Sequence, residues 1–372
     1  MKNINIALVH DWLTGMRGGE KVLEVLCELY PQATLYTLLH NKGSLSPTIE
    51  AMKIETSFVD KLPFKSNKYR NYLPLFPLAI DSINFSKYDL IISTSHCVAK
   101  SAKPNKNALH ICYCHTPMRY VWEMYDEYFG KGKTGIVTRA VMRFIAPILR
   151  KWDVATSNRA NYYVANSYNV ARRIKEYYNR DSDVIHPPVD TTLFQLSEKN
   201  DNYFLIVSAL VPYKKVDIAI EAFNKLGKKL LIVGTGPESE KLKSISKSNI
   251  EFLGWKSDEE LAKIYAGCKA LLFPGVEDFG IVPLEAMACG KPVIAFGQGG
   301  ALETVIGEGE NKTGIFFYEQ TSDPLIKAIN SFDGKDFNPQ KIRDHALEFD
   351  RAVFKEKLKK YIKDKTATHF KT

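Results

Sequence analysis

The sequence predicts an α/β protein built of two doubly wound, parallel-sheet domains. Three observations carry this. The chain has 372 residues, more than one average domain, and 45% hydrophobic with 25% charged residues is an ordinary balance for a globular protein with two cores. Short, continuously apolar runs alternate with segments of helical spacing, the pattern of parallel strands covered on both faces. The alternation is interrupted once, by Val184-Ile185-His186-Pro187-Pro188-Val189-Asp190 and the polar stretch Ser197-Glu198-Lys199-Asn200-Asp201-Asn202, and then begins again.

Residues 4–10 read as the first buried strand. After the loop at 11–18, Val22, Val25, Leu26 and Leu29 recur at helical spacing. Further strands are expected at 33–39, 88–93, 109–114 and 162–165. Pro187 and Pro188 stop a strand and stiffen the connection, which places the boundary between an N-terminal domain at 1–190 and a C-terminal domain at 191–349. The second series is expected at 203–207, 229–233, 250–253, 270–273, 293–295 and 314–317. Ser257-Asp258-Glu259-Glu260 is a capping box with acids in the first turn. Gly290 closes the helix that contains Glu285, and Pro292 bars its continuation. The last helix, about 350–372, is expected to pack back on the N-terminal domain. Two such domains imply a cleft, with ligands beyond the carboxyl ends of the strands.

A net charge of +9 fits an anionic partner (nucleic acid, acidic lipid or a phosphorylated substrate) or simply a basic surface. Cys27, Cys97, Cys112, Cys114, Cys268 and Cys289 form no Cys-x-x-Cys pair and read as buried free thiols of a reducing compartment. Cys112-x-Cys114 with His115 does not read as a metal site. Adjacent strand positions face opposite sides, and no second ligand pair lies nearby. The N-terminal apolar run is short for a signal peptide, and no stretch reaches the ~20 apolar residues of a membrane span. The expected location is cytoplasmic.

The loops after strands hold the chemistry. Glu277-Asp278-Phe279-Gly280-Ile281-Val282-Pro283-Leu284-Glu285 carries two carboxylates separated by seven residues across a strand-to-helix junction. Backbone N–H groups there take phosphate and carboxylates take hydroxyls, as a phosphorylated, polyhydroxylated ligand requires. Glu285 sits in an otherwise apolar helix, where a carboxylate needs a hydrogen-bond partner. Lys214 and Lys215 precede a helix whose dipole they oppose, a conflict that a bound anion removes, although two solvated lysines are the plain alternative. Gly15-Met16-Arg17-Gly18-Gly19-Glu20 joins the first strand to its helix, either as a phosphate- or sugar-binding turn or as a flexible loop. Gly234-Thr235-Gly236-Pro237 lacks the third glycine of a dinucleotide fingerprint and reads as a turn. His115-Thr116-Pro117-Met118-Arg119-Tyr120-Val121-Trp122 puts an imidazole at a strand end, followed by an arginine and aromatics.

Together these segments resemble retaining glycosyltransferases of the GT-B fold, in glycosyltransferase family 4. The resemblance covers nearly the whole chain, most strongly 203–317 and less so 42–78. The wording at 208–217, at Gly254-Trp255 and at 275–280 is most similar to a bacterial mannosyltransferase-like subgroup that builds cell-surface polysaccharides such as lipopolysaccharide. The resemblance implies two Rossmann-like domains facing a central cleft, and transfer of a hexose from a nucleotide sugar with retained configuration and no metal. GDP-mannose is favoured over a UDP-hexose, and the acceptor is a lipid-linked or growing glycan. It implies catalytic roles for Glu277, Lys214 and His115. Donor contacts fall to Gly18, Gly19, Lys214, Lys215, Gly234, Trp255, Phe279, Gly280, Ile281, Val282 and Glu285. Arg17, Arg119, Tyr120 and Trp122 lie on the acceptor side. One position departs from the family: the arginine five residues before the clamp lysine is Ala209 here, and Lys215 and Arg17 are candidates to replace its charge.

The stretch 131–152 carries Arg139, Arg143, Arg150 and Lys151, no acid, a wide apolar side and a terminal Trp152. It reads either as a helix lying on an anionic inner-leaflet surface or as a core helix with a basic face. A sugar-nucleotide epimerase or glycan phosphorylase of the same architecture is the alternative enzyme. A nucleic-acid binder is opposed by dispersed basic residues and the lack of any recognition signature.

Overall fold

The computed structural model describes residues 4–131 and 134–371, so Gly132 and Lys133 of the basic stretch lie outside the described residues. The chain divides into two compact units. The first runs to Pro187 and resumes at Lys355; the second is Pro188–Phe354.

The first unit is built on a seven-stranded sheet of β1 (Ile6–His10), β2 (Thr34–Thr37), β3 (Lys53–Thr56), β4 (Leu90–Ser95), β5 (Leu109–Cys114), β6 (Tyr162–Ala165) and β7 (Ser182–Val184). Its order is β3-β2-β1-β4-β5-β6-β7, with every pairing parallel. Every residue of β4 and β5 is buried, which is why both read as continuous apolar runs. The edges are short and polar, Lys-Ile-Glu-Thr and Ser-Asp-Val. Edges of that kind resist further pairing and leave no apolar run, so β3 is absent from the sequence reading. The Gly18–Leu29 helix buries Val22, Val25 and Leu26 on one face. The C-terminal helix Arg351–Lys371 joins this unit from Lys355, where Lys355 Nζ meets Glu28 at 2.8 Å and Tyr361 Oη donates to Asp183 at 2.9 Å.

The second unit has a six-stranded sheet of β8 (Phe204–Val207), β9 (Leu230–Val233), β10 (Ile250–Gly254), β11 (Ala270–Phe273), β12 (Val293–Phe296) and β13 (Gly314–Phe317), ordered β10-β9-β8-β11-β12-β13 and parallel throughout. Each strand expected from the sequence is present. Ser257 and Glu260 form the reciprocal capping box on the Asp258–Gly267 helix. Gly290, at φ 74°, follows the end of the Ile281–Ala288 helix.

Each sheet reverses its winding once, between β1 and β4 in the first unit and between β8 and β11 in the second. Those crevices are where an open α/β sheet binds ligands. All six cysteines are buried and unpaired, and burial pushes the Cys268 and Cys289 thiols up to about 12. Among the described residues, no helix is long and apolar enough to cross a membrane.

Candidate active site

In the second unit, β8 runs into a tight turn at Pro212–Lys214, and Lys215 takes the left-handed conformation (φ 55°) before the Val216–Leu226 helix. The neighbouring strand β11 runs into Pro274-Gly275 and then Glu277. The two strands are adjacent in the sheet though distant in sequence, so both loops emerge at one crevice. There Lys214 Nζ and the Glu277 carboxylate form an ion pair, both side chains only partly exposed. The Tyr213 ring lies 5.6 Å below the ammonium. A recess opens beside them, lined by Ser208, Phe273 and Gly275 among others.

Backbone proximity holds this arrangement. A Cβ on Gly275 would stand 3.0 Å from Lys214 Cα, and one on Gly300 would overlap Phe279 Cα at 2.2 Å. Gly300 N–H also donates to the Glu277 carbonyl at 2.9 Å, so the loop after β12 supports the Glu277–Phe279 segment from behind. Gly299-Gly300 is a supporting pair not expected from the sequence, although glycines clustered just after a strand, at 297, 299 and 300, were the available signal. Phe279 is buried, and Gly280 (φ 95°) is the N-cap of the helix that carries Ile281 and Val282 in its first turn.

Glu285 does not line the recess. It is 6% exposed within that helix and accepts a hydrogen bond from Tyr265 Oη at 2.9 Å, the kind of partner that burial demands. Burial, then the Glu285 charge, drive the Tyr265 phenol well above its ordinary range. Gly234 lies against the backbone of Ser208, Trp255 is exposed beyond β10, and Ala209 is exposed at the end of β8.

In the first unit the strand-end loops gather imidazoles and acids. Gly18 and Gly19 open the first helix, with Arg17 as its exposed N-cap. A Cβ on Gly19 would stand 3.4 Å from His115 Nε2 and 3.8 Å from His10 Cε1, so the glycine fits between two imidazoles. His10, ending β1, meets Thr94 Oγ1 at 2.6 Å through Nδ1 and lies 3.7 Å from buried Glu20 through Nε2. Burial raises the Glu20 carboxyl, but the His10 and His96 rings outweigh it and hold the group below its ordinary value. Asp11 is wholly buried and accepts the backbone N–H groups of His96, Cys97, Val98 and Ala99 at 2.6–2.9 Å, closing the β1/β4 crevice. His96 packs edge-on against Trp12, with ring centroids 4.4 Å apart. Burial first, then His10 and the nearby Arg119 and Arg17, hold the His96 imidazole well below its ordinary value, against the pull of Glu20.

The sequence reading named His115, Gly18 and Gly19 but passed over His10, Asp11, Glu20 and His96. His10 ends an apolar strand just as Cys114 precedes His115, and that was the signal. Tyr120 and Trp122 have protein partners. Tyr120 Oη accepts from Arg70 Nε at 3.2 Å, and Trp122 Nε1 donates to Asp153 at 2.8 Å while its ring stacks on Tyr177. Among the described residues, no group of three or more His, Cys, Asp or Glu is placed to hold a metal ion.

Residues 18–193 match the model for Glycosyltransferase Family 4, and residues 190–345 match the model for Glycosyl transferases group 1. An uncharacterized glycosyltransferase of Methanocaldococcus jannaschii is 34% identical over 157 residues, which is 41% of this chain and 44% of the relative. The chain thus spans less than half the length of that curated relative. Sucrose-phosphate synthase from Thermosynechococcus elongatus superposes with a TM-score of 0.75 at 17% identity, over 98% of this chain and all of the other. HepE of Anabaena in complex with UDP superposes with a TM-score of 0.70 at 17% identity, over 97% of this chain and all of the other.

Proposed function

We propose, for a chain whose two units match glycosyltransferase models and whose fold is that of GT-B enzymes, that the reaction is transfer of a hexose from a nucleotide sugar to an acceptor hydroxyl with retained configuration. The observation that carries this reading is the Lys214–Glu277 pair at the β8/β11 crevice. A fixed ammonium there stabilises a departing diphosphate as its charge develops. A carboxylate beside it accepts hydrogen bonds from sugar hydroxyls. Donor binding draws Lys214 toward phosphate and frees Glu277 for the sugar. The recess beside the pair is assigned to one part of the donor.

Glu285, oriented by Tyr265, is assigned to the ribose, and the N–H groups of Phe279 to Val282 to sugar and phosphate. Gly234 and Trp255 are assigned to the nucleobase, Gly18 and Gly19 to phosphate, His115 to the transferred sugar, and Arg17 and Arg119 to the acceptor. Lys215 and Arg17 stand in for the charge missing at Ala209. The scheme uses no metal. A lipid-linked or growing cell-surface glycan is the proposed acceptor, and a cytoplasmic location fits six unpaired thiols.

GDP-mannose is the preferred donor, on the wording at 208–217 and 275–280. A UDP-hexose is the second reading, favoured by HepE having been solved with UDP and with UDP and glucose. Thermal-shift measurements with GDP, UDP and ADP sugars decide between them. A ligand at a hundredfold its Kd adds about 2.7 kcal/mol of stability, a shift of several degrees. Stabilisation by UDP sugars alone overturns the GDP choice, and no shift with any of the three overturns the nucleotide-sugar reading.

A further inference from the structure

We propose that the Ile136–Ala155 helix is a docking surface for an anionic lipid bilayer. The inference rests on this helix alone and is independent of the reaction assigned above. At about 100° per residue, its buried side chains Met142, Ala146, Leu149 and Asp153 fall within roughly 60° of arc. The three apolar ones sit in the core cluster that contains Trp12, Tyr69 and Phe76. A second stripe of Val137, Val141, Phe144 and Ile148 occupies a similar arc on nearly the opposite side. It is open to solvent: Val137 is 76% exposed, Phe144 75%, Ile148 62% and Val141 48%. A surface helix needs one apolar stripe to join its core; a second, contiguous and outward-facing, marks a surface that something covers.

Charge identifies what covers it. Arg143 and Lys151 are exposed on the helix, and Arg139 and Arg150 are partly so. Its one acid, Asp153, is fully buried against Lys100, Trp122 and Tyr178. Every charge this helix presents to solvent is therefore positive. A second copy of the chain across a two-fold axis would set those cations against their own equivalents. An anionic bilayer takes both features at once: the apolar stripe enters the headgroup–acyl boundary and the guanidinium and ammonium groups meet lipid phosphates. Trp152, which the sequence offered as an interfacial anchor, packs partly into the core instead, so the four-residue stripe carries the insertion.

Sedimentation of the full chain with phosphatidylcholine vesicles, with and without phosphatidylglycerol, tests this. At low salt we expect about tenfold stronger partition onto the anionic vesicles, weakening as salt rises. The double variants Phe144→Ser/Ile148→Ser and Arg143→Glu/Lys151→Glu should each lose about tenfold of that partition. Both pairs are solvent-exposed, so an unchanged thermal melt certifies the fold. Equal partition onto both vesicle types overturns the proposal, as does wild-type partition by either variant. So does a concentration-dependent dimer in analytical ultracentrifugation that Phe144→Ser/Ile148→Ser abolishes, because the stripe then belongs to a second copy.

Discussion

The two units meet the same topological problem with different chemistry. Where the first unit's sheet reverses, between β1 and β4, the crevice is closed by a buried carboxylate bonded to four backbone N–H groups and ringed by imidazoles. Where the second reverses, between β8 and β11, the crevice presents one ammonium–carboxylate pair on loops held by close backbone contact. Seven of the eight histidines belong to the first unit, and His345 is alone in the second. The first candidate site is thus built around imidazoles and buried acids, the second around one ammonium–carboxylate pair. One sheet topology fixes where a site forms and leaves its chemistry to the loops.

The strongest way to break this comparison is to remove the second unit's pair. Glu277→Ala should lower kcat by about a thousandfold or more, the scale of losing a group that acts on the transition state. Its side chain is 27% exposed, so the melting temperature should stay within a few degrees of wild type. Near-normal turnover in a folded variant would move the reactive centre away from the β8/β11 crevice.

Acid sharpens the contrast next. His110 is fully buried between Ser93 Oγ at 2.8 Å and the Arg159 carbonyl at 3.2 Å, and burial lowers its imidazole from 6.5 to about 4. The unfolded chain therefore takes up this proton more readily than the folded one. Stability is intact above 6.5 and falls as pH drops toward about 4, by roughly 3 kcal/mol from this group. His96, also held low, acts in the same direction, and Glu20, held below its ordinary value, adds a loss on protonation. Hydrogen exchange should show protection of β4 and β5 falling across that window while β8 and β11 change little, and His110→Asn should flatten the fall. Parallel loss in both units would refute the link between buried imidazoles and acid sensitivity.

What the sequence revealed follows the same physics. Strands buried on both faces, such as β4, β5, β8 and β9, announce themselves as apolar runs. β3 does not, because an edge strand survives with Lys53 and Glu55 facing water. Lys214 and Glu277 were legible singly, as charges just beyond strands. Their pairing was not, because it depends on β8 and β11 lying side by side in the sheet although β9 and β10 separate them in sequence. The Tyr265–Glu285 bond was foreseen as a need without its partner. Asp11 was invisible for a further reason: beside the His96 ring, four of its partners are backbone N–H groups, which no side-chain pattern records.

Glycines give the finest test, because they serve different ends in the two units. Gly300 makes room for backbone: a Cβ there would overlap Phe279 Cα at 2.2 Å, and Gly300→Ala should cost about 1–3 kcal/mol because main chain must shift. Gly19 makes room for side chains. Its Cβ would meet His115 Nε2 at 3.4 Å, a tight contact that a ring can yield to. It sits in the first turn of the Gly18–Leu29 helix, where alanine is the better helix former by up to about 1 kcal/mol. Gly19→Ala should therefore hold or raise the melting temperature while lowering kcat/KM about tenfold, as the new methyl crowds His115 at its proposed place beside the transferred sugar. The opposed signs matter. A glycine that only turns the chain would gain stability with turnover intact, and a glycine needed for packing would lose both. Intact turnover at Gly19 would take the imidazole cluster out of the proposed reaction and leave it to Lys214 and Glu277, whereas loss of both would make Gly19 a packing residue.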